Sequence, residues 1–371
     1  MTHMPMAMVG PAPGLRAVRV QTHAALNRLM PDWSALEDIA GCVPLSADLA
    51  AHVLRHDPDV DPLVIAVYRG TQLVGALPMR LSRRGGLTLA RRLGGVTQPC
   101  DGLLVHRAER PGLVAAAALS MLSETPGLDL VQFDALPAGD PLLEPGALRE
   151  VARPRSATFA IDLRGPTPLL ARQSKHRRKS IRRRRRQLED YGPVRLLVAT
   201  DPEERLALTE RALALKLEWL NREGHLAPTF RSSALQRGLR RAAEDSGSGM
   251  LVFALMVNDV AAAIEIGFPA GAIYHSYLGA YDHDLARMGP GTALTVEVAE
   301  WCRQQGFSTY CLGTEWSAFK ESWGDTQRVV MQASWPVSLP GRLAAPVVRE
   351  GPRLARSLIH ALAPYLRRQV A

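Results

Sequence analysis

The chain of 371 residues contains 47% apolar and 22% charged residues, the composition of a globular protein with one large or two ordinary domains. No segment reaches the roughly 18 uninterrupted apolar residues that a membrane-spanning helix needs. Residues 1–20 lack a basic head before an apolar block, which argues against a secretory signal and predicts a disordered lead.

The cysteines are widely separated, and none has the paired spacing of a zinc site or a disulfide framework. Unpaired cysteines suit a reducing compartment, so the sequence predicts a cytoplasmic protein without a metal ion. These cysteines are Cys42, Cys100, Cys302 and Cys311.

The formal net charge of +9 comes from a single stretch of the chain. Ten Lys and Arg residues and no acidic residue lie between Arg172 and Arg186, and the other 35 basic residues balance 36 acidic ones. The excess is therefore a local electrostatic feature, not the distributed charge of a general nucleic-acid-binding protein.

The first half contains a hairpin and, further on, a helix bounded by glycines. Residues 62–79, PLVIAVYRGTQLVGALPM, predict two strands joined by a tight turn at Arg69-Gly70. In residues 109–136, Pro111-Gly112 begins an apolar-periodic helix, Gly127 ends it, and a strand-like run follows.

The second half repeats this plan. Residues 250–268 predict a hairpin that turns at Asn258-Asp259, and residues 288–314 repeat the Pro-Gly, helix, glycine and strand at an offset of 179. Agreement in element order, turn type and glycines favours duplication over chance similarity of two αβ segments. Each half then has an antiparallel hairpin, a third strand and a crossover helix. This predicts an α/β fold, a mixed sheet with helices packed on it, made of two similar halves.

Composition places the boundaries of these halves. Residues 164–168, RGPTP, form a natural joint. We therefore expect an N-terminal domain at 21–165 and a C-terminal domain at 166–340.

The tail at 341–371 is Pro-rich and then amphipathic. Its apolar stripe consists of Leu354, Leu358, Leu362 and Tyr365 or Leu366. Such a stripe predicts either docking on the body of the protein or contact with a membrane surface.

The basic stretch predicts a helix from about Pro168 to Tyr191, with Ile181 and Leu188 on its inner face. The plain interpretation is a solvated helix face. The alternative is a surface for a coenzyme phosphate, a nucleotide-linked carrier or an anionic lipid, because Arg binds phosphate in a bidentate fashion. Nucleic acid is disfavoured because no aromatic residues are interleaved. The candidate phosphate-binding residues are Lys175, Arg178 and Arg182.

The stretch ARMGPGTAL places a glycine-rich turn at the start of a helix, where backbone N–H groups can meet an anion. A hairpin, a third strand and such a turn resemble the Gcn5-related N-acetyltransferase (GNAT) fold, in which the turn cradles the pyrophosphate of coenzyme A. The motif of that fold, (Gln/Arg)-x-x-Gly-x-(Gly/Ala), is met by Gly289 and Gly291. Ala286 stands at its first position, and Arg287 follows one place late.

A wider resemblance covers about 170–335. Segments 174–196, 274–294 and 311–324 resemble the BioF2-like, CelD-type acyltransferases, which are tandem relatives of the FemAB peptidoglycan aminoacyl ligases. In those families an Arg-rich helix opens the second domain, and a Tyr-rich strand and Pro-Gly turn follow. An aromatic-Lys pair before a Trp closes the motif, and here that pair is Phe319-Lys320.

This resemblance implies a tandem GNAT-like fold and acetyl-CoA or another acyl-CoA as co-substrate. It implies that Lys320 holds a developing oxyanion or a substrate phosphate, whereas an ordinary surface lysine is the plain alternative. The coenzyme-binding residues implied at the glycine turn are Arg287, Gly289, Pro290, Gly291 and Thr292.

Two strand residues are candidates for proton transfer. Glu265 lies inside the apolar strand AAAIEIGF, where a desolvated carboxylate would have a raised pKa suited to a base; a solvent-facing edge position is the alternative. His275 alternates with Tyr277 on one face of the next strand, and is either a base or a hydrogen-bonded structural residue. Tyr277 and Phe319 complete the predicted substrate-binding residues.

Together these features predict an acyltransferase that moves an acetyl or longer acyl group to a hydroxyl or amine. The family resemblance indicates a small-molecule or glycan acceptor in surface polysaccharide synthesis, and the basic helix or the tail predicts peripheral membrane contact. Two alternatives stay open. One is aminoacyl transfer from tRNA to a peptidoglycan precursor, although residues 200–250 offer no insertion for the long helical arm common in FemAB proteins. The other is a non-catalytic protein that binds through its basic helix.

Overall fold

The structure, a computed structural model, describes residues 14–40, 43–224, 228–314 and 317–348. None of the helices in this part of the chain is long and apolar enough to cross a membrane. The strands are β1 (Leu15–Val20), β2 (Asp61–Arg69), β3 (Gln72–Arg84), β4 (Leu87–Arg92), β5 (Leu104–Val105), β6 (Leu130–Pro137), β7 (Arg153–Asp162), β8 (Val194–Ala199), β9 (Leu251–Val257), β10 (Val260–Ala270), β11 (Ile273–Tyr281), β12 (Thr309–Thr314) and β13 (Thr326–Pro336). The helices are α1 (His23–Glu37), α2 (Ala47–His56), α3 (Pro111–Ser123), α4 (Gly146–Val151), α5 (Lys175–Glu189), α6 (Pro202–Arg222), α7 (Pro228–Arg231), α8 (Ser233–Glu244), α9 (Pro290–Gln304) and α10 (Ala318–Trp323).

The strands form one mixed sheet that is symmetric about its centre. Its order is β1-β2-β3-β4-β6-β13 followed by β7-β12-β11-β10-β9-β8, with β5 pairing β3 off this path. Strand β13, from the end of the chain, pairs β6 of the first half, and β7, from the first half, pairs β12 of the second. Each half therefore gives its last strand to the other, and the exchange makes the sheet continuous. The predicted mixed sheet with two similar halves is confirmed.

The strand registers show the repeat in detail. The β9–β10 turn lies at Asn258 and Asp259, whose φ values of 47° and 61° suit a two-residue hairpin turn. The β2–β3 turn lies at Gly70-Thr71, one residue beyond the predicted position. Each hairpin then carries a β-bulge at the third residue of its second strand, at Val74 and at Ala262. The third strand of each half pairs in parallel with the strand after the crossover helix.

The basic stretch forms α5, which begins later than predicted because residues 168–174 are turns and bends. The Ser174 side chain caps the helix by accepting a hydrogen bond from the backbone N–H of Arg177. Ile181 and Leu188 are the buried residues of α5, so the predicted inner face is confirmed.

Three apolar clusters hold the sheet. One packs α3 on the first half, and another packs α5 and α9 on the second. The largest contains residues of α1 and α2 together with residues of α6 and α8, so helices from both halves share it. Because α6 and α9 lie on opposite faces of β10 and β11, alternate residues of those strands meet different surroundings.

Both ends of the described chain differ in extent from the sequence-based expectation. Residues Leu15–Val20, assigned to the lead, form an edge strand that pairs β2. At the other end, residues 339–348 are helical, and Leu339, Leu343 and Val347 are exposed along one side. The predicted stripe that begins at Leu354 lies outside the described residues, as does Cys42.

Candidate active site

A cavity of about 1360 Å³ lies between the two halves of the sheet. It is lined by β10, β11, β12, the start of α9 and α10 from the second half, and by β3, β4, β6 and β7 from the first. Nine predicted site residues line it: Glu265, His275, Tyr277, Gly289, Pro290, Gly291, Thr292, Phe319 and Lys320. The lining does not include Arg287, Lys175, Arg178 or Arg182.

The glycine turn at the start of α9 opens on this cavity. Gly289 adopts a left-handed φ of 61°, and no side chain caps the helix. Pro290 has no N–H, so the first backbone donors of α9 belong to Gly291 and Thr292. A Cβ added to Gly291 would lie 3.4 Å from a ring carbon of Tyr281, in contact with that ring, and Gly291 itself lines the cavity. The turn therefore presents the helix N-terminus to the cavity without an anionic side chain in the way.

Arg184 of α5 lies beside this turn and was missed from the sequence. A Cβ added to Gly289 would lie 3.2 Å from Arg184 Nη1, and Arg184 lines the cavity. The sequence contained a sign of this position, because Arg184 is three residues after Ile181 and four before Leu188. Such spacings place side chains on neighbouring parts of one helix face.

Glu265 is buried in the sheet on the α9 side. Tyr274 Oη donates to Glu265 Oε1 over 3.1 Å, and Tyr310 Oη lies 2.7 Å from both carboxylate oxygens. Burial raises the pKa of Glu265 to about 7, although hydrogen bonds from the two tyrosines lower it. The carboxyl group is therefore placed to gain and lose a proton near neutral pH, which neither a solvated nor an ion-paired glutamate would do.

His275 and Tyr277 lie on the opposite face of β11, where a β-bulge at Tyr277 interrupts the pairing with β10. Burial lowers the pKa of His275 to about 4, and its Nε2 has no hydrogen-bond partner among the described residues. Tyr277 Oη donates to Val96 O over 2.7 Å and so ties β11 to the first half. His275 is therefore neutral near pH 7, and Glu265 has the pKa better matched to a base at that pH.

Lys320 reaches the cavity from α10. Its Nζ donates to Thr314 O, 2.5 Å away at the end of β12, which fixes the ammonium group beside the glycine at 313. The ammonium group also helps to lower the pKa of Cys311, although burial raises that pKa overall. Phe319, which precedes it, is 40% exposed and lines the same cavity.

The remaining cations of α5 divide into bound and exposed groups. Arg178 Nη1 donates to the carbonyls of Ala171 and Gln173 and closes the turn before the helix. Arg177 stacks over the Trp323 ring at 3.9 Å and anchors α10. Lys175 and Arg182 are exposed and lie outside the cavity lining. The phosphate-binding role predicted for Lys175, Arg178 and Arg182 stays a prediction.

A cluster of possible metal ligands lies away from the cavity, between α2 and the segment after α8. His52 Nδ1 lies 2.7 Å and His56 Nε2 3.3 Å from Asp245 Oδ2. Arg55 Nη2 also lies 2.7 Å from that oxygen and neutralises it. The cluster therefore forms an ion-paired link between the two halves without needing a metal ion.

Comparison with protein families gives one match, in the second half. Residues 175–321 match the acetyltransferase (GNAT) domain. The second half is therefore similar to GNAT acetyltransferase domains, which supports an acyltransferase. The matched range includes Glu265, the glycine turn and Lys320. Comparison with curated proteins found no match.

Solved structures show that the fold of the two halves together recurs in other proteins. FemX is 12% identical and superposes with a TM-score of 0.64 over 90% of this chain and 99% of its own. A conserved protein of unknown function from Bacteroides thetaiotaomicron is 11% identical, with a TM-score of 0.52 over 86% of this chain and 100% of its own. The C-terminal domain of a putative lysylphosphatidylglycerol synthetase from Agrobacterium fabrum is 12% identical, with a TM-score of 0.52 over 89% of this chain and 97% of its own. At these identities the likeness concerns the fold alone.

Proposed function

We propose that the protein transfers an acetyl or longer acyl group from acyl-CoA to a hydroxyl or amine of a second substrate bound in the same cavity. The observation that carries this proposal is the open glycine turn of α9, which shares the cavity with Glu265 and Lys320. Helix N–H groups for a pyrophosphate, a titratable carboxyl group and a fixed cation are the groups that direct acyl transfer requires.

The glycine turn would hold the coenzyme through its phosphates. The donors of Gly291 and Thr292 meet one side of the pyrophosphate, and the positive end of the α9 dipole favours its charge. Arg184, beside Gly289, adds a guanidinium group to the same place. Binding therefore uses backbone groups and one arginine, so it tolerates few side chains at Gly291.

The transfer itself requires one general base and one group that stabilises the oxyanion. Glu265 accepts the proton that the acceptor hydroxyl or amine loses as it attacks the thioester carbonyl, and this requires the ionised carboxylate. The C–S bond of the tetrahedral intermediate then breaks, and coenzyme A leaves as the thiol after its sulfur takes up the proton that Glu265 gives back. The ammonium group of Lys320 stabilises the negative charge that develops on the carbonyl oxygen. Tyr274 and Tyr310 hold the carboxylate of Glu265 in place, since both donate to it.

The CelD-type resemblance supports a sugar hydroxyl of a surface polysaccharide as the acceptor. The FemAB-like alternative uses aminoacyl-tRNA as the donor. Between 202 and 244, outside residues 225–227, the chain forms α6, α7 and α8, and α6 and α8 pack into the shared core without forming a projecting arm. We therefore place acyl-CoA before aminoacyl-tRNA as the donor, and a binding measurement separates them.

The test is a titration of the full chain with coenzyme A, acetyl-CoA and aminoacyl-tRNA, followed by calorimetry and by the melting temperature. Acetyl-CoA should bind and raise the melting temperature, since a ligand of the folded state stabilises it. Gly291→Val should abolish the effect, because the side chain would keep the pyrophosphate from approaching the backbone N–H groups of the turn. The fold should persist, since the backbone of Gly291 is helical.

Gly146→Val is the matched control, because Gly146 begins α4 and a Cβ added there would have no other atom within 4 Å. It should bind acetyl-CoA as the wild type does. Equal binding by Gly291→Val and the wild type would show that the pyrophosphate lies elsewhere. Binding of aminoacyl-tRNA without acetyl-CoA would replace the proposal with the FemAB-like alternative.

A further inference from the structure

The wall of the cavity contributed by the first half is cationic. Arg80 on β3 and Arg91 on β4 are directly opposite each other in the strand register, and both line the cavity. Arg155 on β7 lines it as well. Like charges directly opposite on neighbouring strands destabilise a sheet unless something neutralises them.

Carboxylates of the protein neutralise this wall incompletely. Arg91 Nη2 lies 3.6 Å and Arg155 Nη1 lies 3.7 Å from carboxylate oxygens of Asp134, both beyond hydrogen-bonding distance. Arg155 Nη1 donates instead to the backbone carbonyl of Asp134 over 2.7 Å, a contact that leaves its charge unpaired. Arg80 Nη1 lies 3.7 Å from Asp57, whose side chain is 49% exposed and therefore screened by water. Burial lowers the pKa of Arg80, and Arg91 lowers it further. These three guanidinium groups share two carboxylates, and none of the three ion pairs is bidentate.

Other charged groups around this wall do not remove the excess. Arg92 and Asp101 form a buried ion pair at 3.2 Å, so together they add no net charge. Arg328, on β13, also lines the cavity and adds positive charge. The positive wall therefore faces the cavity that Glu265 and Lys320 enter from the other half.

The repeat gives this pair of arginines a counterpart in the second half. Counted from the hairpin turns, Arg80 occupies the position of Phe268, and the cross-strand partner of Phe268 is His275. The Arg80–Arg91 pair thus corresponds to the Phe268–His275 pair. Phe268 is buried in the apolar core, so at this position only the first half brings two charged side chains to the cavity.

We propose that Arg80, Arg91 and Arg155 bind a phosphate group of the acceptor. The identification of the ligand as the acceptor rests on the proposed acyltransferase function, whereas the anion site itself rests on these residues. Three guanidinium groups from three strands suit the several oxygens of a phosphate, and each guanidinium can donate two parallel hydrogen bonds to it. A neutral glycan would leave the opposed charges uncompensated.

The phosphate can belong to a soluble phosphoester or to a phospholipid headgroup, because both offer the same oxygens. Because the arginines line the cavity, a phosphoester or a lipid headgroup would have to enter between the two halves of the sheet. Inorganic pyrophosphate is the probe for the site itself. Glycerol 3-phosphate and vesicles of phosphatidylglycerol then distinguish the two sources.

The experiment is a calorimetric titration of pyrophosphate into the Gly291→Val protein, so that the glycine turn of α9 does not contribute. Replacing Arg80 and Arg91 by Gln should weaken pyrophosphate binding at least tenfold and reduce its salt dependence. Arg83→Gln, an exposed arginine on the same strand and outside the cavity lining, is the control and should change neither quantity. Acetyl-CoA binding, measured in the same variants with Gly291 restored, should be unchanged.

Pyrophosphate binding that survives the double substitution, or that falls equally in Arg83→Gln, would overturn the anion site. Binding of acetate as tight as that of pyrophosphate would overturn the assignment to phosphate. A wild-type protein that binds pyrophosphate but does not bind acetyl-CoA would instead overturn the proposed function and leave the anion site standing.

The melting temperature gives a readout that does not need a ligand. At low salt, Arg80→Gln should raise it by relieving the opposed charges, and added pyrophosphate should raise it in the wild type but not in the double variant. A fall in the melting temperature of Arg80→Gln to the same extent with and without pyrophosphate would mean that Arg80 is structural, which would contradict the proposal.

Discussion

The two halves of the molecule share one strand plan and differ at the helix that follows the third strand. At α9, Gly289 has a left-handed backbone and Gly291 opens on the cavity. At α3, Arg110 takes the cap position, and a carboxylate oxygen of Glu144 fills the space that a Cβ on Gly112 would need. An acidic side chain of the protein thus lies where an anionic ligand would meet the helix, and the first-half turn is closed.

The strands differ in the same sense. Counted from the hairpin turns, Glu265 of β10 corresponds to Leu77 of β3, and both are buried. The second half thus has a titratable carboxyl group where the first has an aliphatic side chain, while the first half has Arg80 where the second has Phe268. One fold has been duplicated, and its copies present complementary chemistry to a shared cavity.

The largest effect should come from removing the ionisable group of Glu265, which the first half lacks at the corresponding Leu77. Glu265→Gln should lower kcat by about a hundredfold or more, because a positioned base contributes roughly that much. In the wild type, kcat should fall as the pH drops below about 7, where the raised pKa of Glu265 leaves it protonated. The measurement is kcat against pH.

Glu244→Gln, at the exposed end of α8, is the control and should leave the pH profile unchanged. Stability has the opposite sign: a folded-state pKa above the ordinary value of 4.5 means that stability decreases as the pH rises from 4.5 to about 7. Glu265→Gln should weaken that dependence. A flat kcat profile through pH 7 would remove Glu265 from the reaction.

Lys320→Met should lower kcat on the order of a hundredfold while the dissociation constant of acetyl-CoA stays the same, because the ammonium group acts on charge that develops only during transfer. Single-turnover kinetics and calorimetry separate the two quantities. Lys179→Met, on the exposed side of α5, should change neither. Weaker acetyl-CoA binding at normal kcat would assign Lys320 to the coenzyme.

Arg184→Gln should weaken acetyl-CoA binding roughly tenfold, the loss of about 1.4 kcal/mol expected when one guanidinium–phosphate contact is removed. Arg182→Gln, two residues earlier and exposed, should have a much smaller effect. The pair of substitutions also tests the sequence-based assignment to Arg182. A larger loss in Arg182→Gln would move the phosphate site to the outer face of α5.

The smallest expected effect concerns the closed turn of the first half. The wild type should bind one acetyl-CoA per chain, because Glu144 occupies the start of α3. Replacing Arg110 by Gly and Glu144 by Ala should add one weak pyrophosphate site per chain to those of the wild type, measured by calorimetric stoichiometry. Two acetyl-CoA molecules per wild-type chain would show that the first-half turn is open after all.

Many of the features compared here could be predicted from the sequence. The hairpins, the crossover helices and the glycine turn follow from short-range patterns, since apolar spacing and turn residues act within a few positions. The inner face of α5 follows in the same way from Ile181 and Leu188. The unusual place of Glu265 in an apolar strand was also visible, although its two tyrosine partners were not.

The sequence by itself determined that the chain is duplicated, that α9 starts at an open glycine turn, and that a carboxylate lies within a buried strand, because each depends on local spacing. Only the tertiary structure decided that β7 and β13 change places, that Glu144 closes the start of α3, and that Arg184 and the Arg80–Arg91 pair reach one cavity. Those outcomes depend on contacts between distant segments, for which neither period nor propensity carries information.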